Sequence, residues 1–152
     1  REIAHRLYRD LERLTYVVDA IIDARDQARA RAEKLGQGDA LARKLGATAD
    51  RLDDLRRSLV TVREGGQITG EEKLREKLGR LYGGVNGYEG RPTNSQLRYA
   101  DVLEGEMAAA QKEFDALTGK ELITLNAGLI TKQLDPVKTL SHEDWQKKQE
   151  KN

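Results

Sequence analysis

The chain contains no cysteine, so it has neither a disulfide nor a metal site with thiolate ligands. Aromatic residues make up only 5% of its 152 residues, and it has two prolines, Pro92 and Pro136. Its 27 basic and 26 acidic residues nearly cancel, whereas a nucleic-acid-binding protein normally carries a basic excess. No apolar run approaches the ~18 residues of a transmembrane helix. We therefore expect no nucleic-acid partner and no membrane insertion.

Leucine, alanine and charged residues dominate the composition, as in proteins built from long helices. Two apolar series near the N-terminus step alternately by three and four residues, the spacing of one helix face. The first consists of Leu7, Leu11, Leu14, Val18 and Ile21 and, after one polar position, of Ala28, Ala32 and Leu35. The second consists of Leu41, Leu45, Leu52, Leu55, Leu59 and Val62, with Thr48 in its one polar position. They predict helices over Ile3–Leu35 and Leu41–Val62.

Only Gly36, Gln37 and Gly38 separate these helices, and Asp39 is a suitable N-cap for the second. So short a connection predicts an antiparallel helical hairpin. The charged residues of the first helix, from Arg6 to Arg29, are expected to form a solvated outer face.

Further helices follow, each with its own start and stop signals. Gly65-Gly66 is expected to end the second helix, and Thr69 with Glu72 fits a capping box for a third, which Gly83-Gly84 would close. Thr93 with Gln96 fits a second capping box, which would begin the fourth helix. The fourth helix would then have a seam of Leu97, Ala100, Leu103, Met107, Ala110, Phe114 and Leu117.

The fourth helical pattern is interrupted at Thr118-Gly119, resumes through Leu129 and stops at Asp135-Pro136. Ser141 would cap a last turn or two around Trp145, and the polar end is expected to fray. Extended backbone is expected only around Ile68 and at residues 137–139.

These patterns predict an all-α protein, an up-and-down bundle of about four helices built on the N-terminal hairpin. Residues 1–152 would form a single domain, with 135–152 as a partly ordered tail. Because the chain opens on Arg1 inside a helical pattern and without a methionine, we expect a fragment of a larger protein.

No combination of residues predicts chemistry. His5 and His142 stand apart, and no Glu-x-x-His or His-Glu-x-x-His pattern exists. Carboxylate pairs such as Asp53-Asp54 are expected on solvated surfaces. We therefore expect no enzyme activity, no catalytic or metal-binding residues and no cofactor. The glycine-rich loop after the third helix lacks the lysine of a phosphate-binding loop, but it offers residue types that interfaces favour, at Tyr82, Asn86, Tyr88 and Arg91.

Several segments resemble one known family. They are Leu81 to Gln96 (LYGGVNGYEGRPTNSQ), Tyr8 to Thr15 (YRDLERLT), Ile22 to Gln27 (IDARDQ), Leu59 to Thr61 (LVT) and Lys120 to Asn126 (KELITLN). Together they resemble the C-terminal helical region of bacterial secreted proteins with a sortilin-like, BNR-repeat β-propeller, which are often labelled glycosyl-hydrolase-like. The chain has none of the propeller's own Asp-box pattern. The resemblance implies an exported, periplasmic or extracellular protein, whose glycosidase-like activity, if it had one, would belong to the propeller.

Two functional hypotheses follow. In the first, the chain is a non-catalytic accessory domain that packs against its own parent chain (the propeller) or against another protein. In the second, the leucine seams of the hairpin serve between chains, and the hairpin is a dimerisation module. Either a monomer or a homodimer is compatible with these patterns.

Overall fold

The computed structural model describes residues 2–61, 63–64, 67–68, 72–87 and 90–152. It contains six α-helices and one π-helical segment: α1 Glu2–Leu35, α2 Ala40–Leu59, α3 Leu74–Asn86, α4 Asn94–Asp115, the π-helix Ala116–Glu121, α5 Leu122–Thr131 and α6 His142–Lys151. Two strands of two residues each, β1 Arg63–Glu64 and β2 Gln67–Ile68, pair antiparallel at the loop where extended backbone was expected. The predicted all-α class is confirmed.

Local sequence signals account for most helix ends. The Asp39 carboxylate accepts hydrogen bonds from the backbone N–H groups of Leu41 and Ala42, at 2.7 and 3.1 Å, and so caps α2. Thr93 and Gln96 exchange side-chain and backbone hydrogen bonds as a capping box does. Gly36 has a φ of 93°, a conformation that favours glycine, directly after α1.

Two predicted boundaries are wrong. Helix α2 ends at Leu59, three residues early, because the β-branched run after it disfavours helix. Helix α3 continues through the Gly83-Gly84 pair to Asn86, and the N–H of Gly87 donates to the carbonyl of Gly83. The predicted stops and caps at Gly65, Gly66 and Thr69 lie outside the described residues, as does the seam residue Val62.

The C-terminal region is more regular than expected. Ser141 caps α6 by accepting a hydrogen bond from the N–H of Asp144, as predicted, but α6 then continues to Lys151. The expected interruption at Thr118-Gly119 is a π-helical segment, so the chain passes from α4 to α5 without leaving a helical conformation.

The predicted seams form most of the hydrophobic core. Leu14, Ile21, Leu45 and Leu52 are fully buried, and Thr48 is buried with them. In α4 the seam is buried from Ala100 onward, but Leu97 is exposed.

The chain divides into two compact units: Arg1–Thr15 with Arg57–Gln111, and Tyr16–Arg56 with Lys112–Asn152. In the first, Glu76 on α3 accepts hydrogen bonds from the N–H groups of Thr61 and Lys73, at 3.1 and 3.0 Å. In the second, the buried residues come from α1, α2, α5 and α6, from Phe114 at the end of α4, from Leu117 of the π-helix and from Val137 in the connection before α6.

Candidate functional site

The carboxylate pairs are mostly bound in ion pairs. Glu104 pairs with Arg6, and Glu106 with Lys77 at 3.5 Å. Asp53 was expected on a solvated surface, but it is largely buried, and its Oδ1 lies 2.6 Å from Arg25 and 3.0 Å from Arg56. Each of these carboxylates therefore has a basic partner, which explains its position without catalysis.

The outer face of α1 is not simply solvated, contrary to expectation. Arg6 and Arg13 bond to α4, through Asp101 and Gln111. Arg25 bonds to α2, and Asp19 accepts a hydrogen bond from Trp145 on α6. Polar residues beside the apolar seam of α1 therefore also reach partners on other helices within each unit.

Asp10 is the carboxylate that sequence reasoning missed. Burial raises its pKa above the ordinary value, although the nearby Arg6 and Arg9 act in the opposite direction. Its Oδ2 atom is buried and has no hydrogen-bond partner among the described residues. Asp10 was placed on the solvated face because its sequence neighbours are charged. One buried carboxylate oxygen is a local cost of packing and does not by itself form an acid–base pair.

Glu76 has the opposite shift. Burial disfavours its charged form, but hydrogen bonds from the hydroxyl and N–H of Thr61 and from the N–H of Lys73 outweigh burial, and its pKa lies below the ordinary value of 4.5. These bonds tie the end of α2 to the start of α3. The shift therefore reflects a structural cap.

The predicted partner-contact residues do not share one loop. Tyr82 belongs to α3, just before the Gly83-Gly84 pair, and Asn86 belongs to it because the helix continues past that pair. The ring of Tyr82 lies 6.2 Å from that of Tyr8 on α1. Arg91 is an exposed residue of the connection to α4, and Tyr88 lies outside the described residues.

Two open surface pockets are found among the described residues. One, of about 450 Å³, lies at the turn between α1 and α2 beside Glu33 and Arg43. The other, of about 420 Å³, is lined by Lys44 and Arg51 of α2 and by Lys120 and Glu121 of the π-helix. In the second pocket Arg51 pairs with Glu121, so the remaining positive charge comes from exposed lysines. Thr124 also lines the second pocket, but its hydroxyl donates to the backbone carbonyl of Lys120 at 3.3 Å. Because Glu121 is paired with Arg51, the two side chains are not arranged as a nucleophile and its base.

The most extensive polar assembly holds residues 135–140, which we call the strap. Asn126 on α5 donates from its side-chain amide to the carbonyl of Val137 at 2.9 Å and accepts from the N–H of Val137 at 2.7 Å. Gln27 on α1 forms the same two bonds with Lys138, at 2.9 and 3.0 Å. Each amide thus binds the strap backbone as a neighbouring β-strand would.

Two further side chains bind carbonyl groups of the strap. Arg31 donates to the carbonyl of Asp135 at 2.9 Å, and the Tyr16 hydroxyl donates to the carbonyl of Leu140 at 2.7 Å. The buried side chain of Val137 anchors the middle of the strap. We call the surface formed by Tyr16, Gln27, Arg31 and Asn126 the strap groove.

Helix α6 is fixed beyond the strap by Trp145, which is buried. Its indole N–H donates to Asp19 at 2.8 Å, and its ring lies 5.8 Å from Tyr16 and 5.5 Å from His142. The His142 ring is also 5.0 Å from that of Tyr16, edge to face. His142 therefore belongs to an aromatic cluster, whereas His5 is exposed.

One helix presents an apolar face to solvent. Helix α5 has no charged residue, although 35% of the chain is charged. Its Leu122, Leu125 and Leu129 are buried, but Ile123 and Ile130 are 67% and 62% exposed. Ala127, between them in sequence, is also exposed, so one face of α5 is apolar and uncovered.

No cluster of three or more histidines or carboxylates that could hold a metal ion occurs in the part of the chain that the structure describes. In the same part, no helix is both long and apolar enough to cross a lipid bilayer. Comparison with known proteins gave no matching family, no matching curated protein and no matching solved structure.

Proposed function

We propose that the chain is a non-catalytic helical accessory domain of a larger exported protein, and that it packs through α5 against the β-propeller of that protein. The exposed apolar face of α5 carries the proposal. The segment resemblance supports the choice of a propeller as the partner, and it is also the support for export.

The proposed architecture is an up-and-down bundle built on an N-terminal hairpin. Arg25 of α1 contacts Asp53 of α2, and Arg29 contacts Asp50. Residue numbers rise along α1 as they fall along α2, which supports antiparallel pairing. By contrast, Arg6 contacts Asp101 and Arg13 contacts Gln111, so α1 and α4 run in the same direction. The first and fourth helices of a simple four-helix up-and-down bundle would be antiparallel, so the proposed bundle counts α4 as its third long helix and the short α3 as part of the connection between α2 and α4.

The face of α5 supports a packing role because its exposure is costly for a surface helix. Ile123 and Ile130 are seven residues apart, two helical turns, and so lie on one side with Ala127. Covering an isoleucine side chain contributes about 1.5–3 kcal/mol relative to leaving it in water. No charged residue within α5 would have to be desolvated by a partner.

Self-association through the hairpin seam is less well supported. Leu14, Ile21, Leu45 and Leu52 have no accessible surface within one copy of the chain. A leucine seam already covered inside one chain is not available to a second. The domain hypothesis therefore has more support than the dimerisation hypothesis.

Side-chain footprinting with a carbene reagent tests the proposal. The isolated chain and the complete gene product would be labelled side by side. We expect Ile123 and Ile130 to be modified in the isolated chain and protected in the complete protein. Equal labelling of both residues in the two forms would refute packing through α5. A complete gene product without a propeller would refute the proposed partner.

A matched pair of variants separates packing from folding. Ile123→Asp with Ile130→Asp should leave the midpoint of thermal unfolding of the isolated chain nearly unchanged, because both side chains are exposed. In the complete protein the two aspartates should prevent packing on the α5 face, so that the carbene reagent labels α5 as it does in the isolated chain. Leu125→Asp is the control, since Leu125 is buried and its replacement should destabilise the isolated chain itself.

A further inference from the structure

The strap is held by side chains that recognise peptide backbone. Asn126 and Gln27 bond both the N–H and the carbonyl of one strap residue each, and Arg31 and Tyr16 each bind one more carbonyl. These four side chains come from α1 and α5, and Trp145 adds a contact to α1 through Asp19. Every one of these contacts could be made equally well to an identical segment of another chain.

The turn between α5 and the strap is short and strained. Gln133 has a φ of 64°, a conformation that costs a residue other than glycine roughly 1–2 kcal/mol. Its N–H donates to the carbonyl of Ile130 at 2.9 Å, and the N–H of Leu134 donates to that of Leu129 at 2.9 Å. Pro136 follows closely. A strained hinge of this kind favours exchange of the segment that it connects, because opening relieves the strain.

We infer that the strap and α6 exchange between two copies of this chain, so that residues 135–151 of each copy occupy the strap groove of the other. The second copy is the partner that fits, because it carries the same buried valine, extended backbone and tryptophan. The exchanged dimer keeps the contacts of the closed form and relaxes two hinges. This inference does not depend on the partner face of α5.

Substitutions at the hinge test the inference. Gln133→Pro cannot close the turn, because proline fixes φ near −65° and lacks the N–H that Ile130 accepts. We expect light scattering after size exclusion to show that this variant is a dimer. Its Trp145 should have the emission wavelength of a buried indole. Gln133→Gly is the matched control, because glycine adopts the positive φ without strain. We expect this variant to keep the strap in its own groove and to remain monomeric. Its dimerisation constant should be lower than that of the wild-type chain by about tenfold for each of the two hinges.

A monomeric Gln133→Pro variant would overturn the inference, whether its Trp145 fluorescence is that of a buried or an exposed indole. In the first case the hinge needs no exchange to close, and in the second the strap detaches without finding another copy. The wild-type chain should form dimer increasingly as its concentration rises.

Complementation between two full-length variants gives an independent test if the proline variant does not fold. The groove variant carries Gln27→Ala and Asn126→Ala, and the strap variant carries Val137→Asp and Trp145→Ala. Trp145 is the only tryptophan, so fluorescence of the mixture comes from the groove variant alone. We expect mixing to shift its emission to shorter wavelength and to double the mass of the eluting species.

Unchanged emission and mass on mixing would refute exchange. A third preparation is the strap variant with Ile123→Asp and Ile130→Asp added. It should complement the groove variant as well as the strap variant itself does, because the α5 face takes no part in strap exchange. Failure of the proposed α5 partner can therefore be distinguished from failure of strap exchange.

Discussion

The pairing of α1 with α2 can be tested by a double-mutant cycle on Arg25 and Asp53. Nη1 of Arg25 lies 2.6 Å from Oδ1 of Asp53, and the two side chains are only 16% and 15% exposed. The cycle needs Arg25→Ala, Asp53→Ala and the double variant. Arg56, which also contacts Asp53, is kept throughout, so that Asp53 retains one basic partner when Arg25 is removed.

The expected coupling energy follows from the burial of the pair. Unit charges about 4 Å apart attract by about 4 kcal/mol at the effective dielectric constant near a protein surface. Desolvation of two largely buried groups and ordering of the arginine side chain offset much of this attraction. Since a hydrogen bond to a charged group contributes about 1.5–3 kcal/mol net, we expect a coupling energy of about 1–2 kcal/mol.

Urea unfolding followed by far-ultraviolet circular dichroism gives the four free energies of unfolding. Arg29 and Asp50 are the matched control, because they join the same two helices at 3.4 Å but are 47% and 75% exposed. Their coupling should be below about 0.5 kcal/mol. Equal coupling in the two pairs would show that burial of the Arg25 pair does not strengthen it. Zero coupling in both would refute the antiparallel contact between α1 and α2.

Three further predictions concern single residues, and urea unfolding measures each. Glu76→Gln should destabilise the chain at neutral pH, because the lowered pKa of Glu76 stabilises the fold while the carboxylate is charged. The effect should decrease as the pH falls below about 4.5, and a loss of stability that does not depend on pH would contradict this prediction. Asp10→Asn should stabilise at neutral pH, since burial raises the pKa of Asp10, and no gain would mean that the charged form is well solvated. Gly46→Ala should stabilise by about 0.5–1 kcal/mol, because a Cβ there meets no atom within 4 Å; Gly128→Ala should not, since its Cβ would lie 3.1 Å from Leu41, and equal gains would refute the packing argument.

Helix starts and core faces were predictable because their signals are local. The hydroxyl of Thr93 and the amide of Gln96 lie three residues apart, so their capping box is visible in the sequence and present in the structure. The leucine spacing in α2 also identifies the buried face, from Leu45 to Leu59. Helix α3 shows the limit of such rules. Glycine costs a helix only about 1 kcal/mol per residue, and α3 continues through the Gly83-Gly84 pair to Asn86.

Polar residues were harder to place because their partners are distant in sequence. Asp53 lies off the apolar stripe of α2 and was therefore expected to face solvent, but it pairs with Arg25, 28 residues away, as well as with its neighbour Arg56. Asp10 lies off the stripe of α1 in the same way, although its Oδ2 atom is buried and has no hydrogen-bond partner among the described residues. Periodicity shows which face is apolar, but a helix packed on several sides also buries the edges of its polar face.

The strap shows why a segment without strand or helix signals need not be disordered. The N–H and carbonyl groups of an extended segment need hydrogen-bond partners, which a neighbouring strand, side chains or water can supply. Here Gln27 and Asn126 supply that pairing from two helices, 111 and 11 residues away from their strap partners. The sequence of the strap therefore needs no alternating pattern, because only Val137 must fit a buried position. Because both copies of the chain carry the same strap, the groove of one copy can bind the strap of the other through these same contacts.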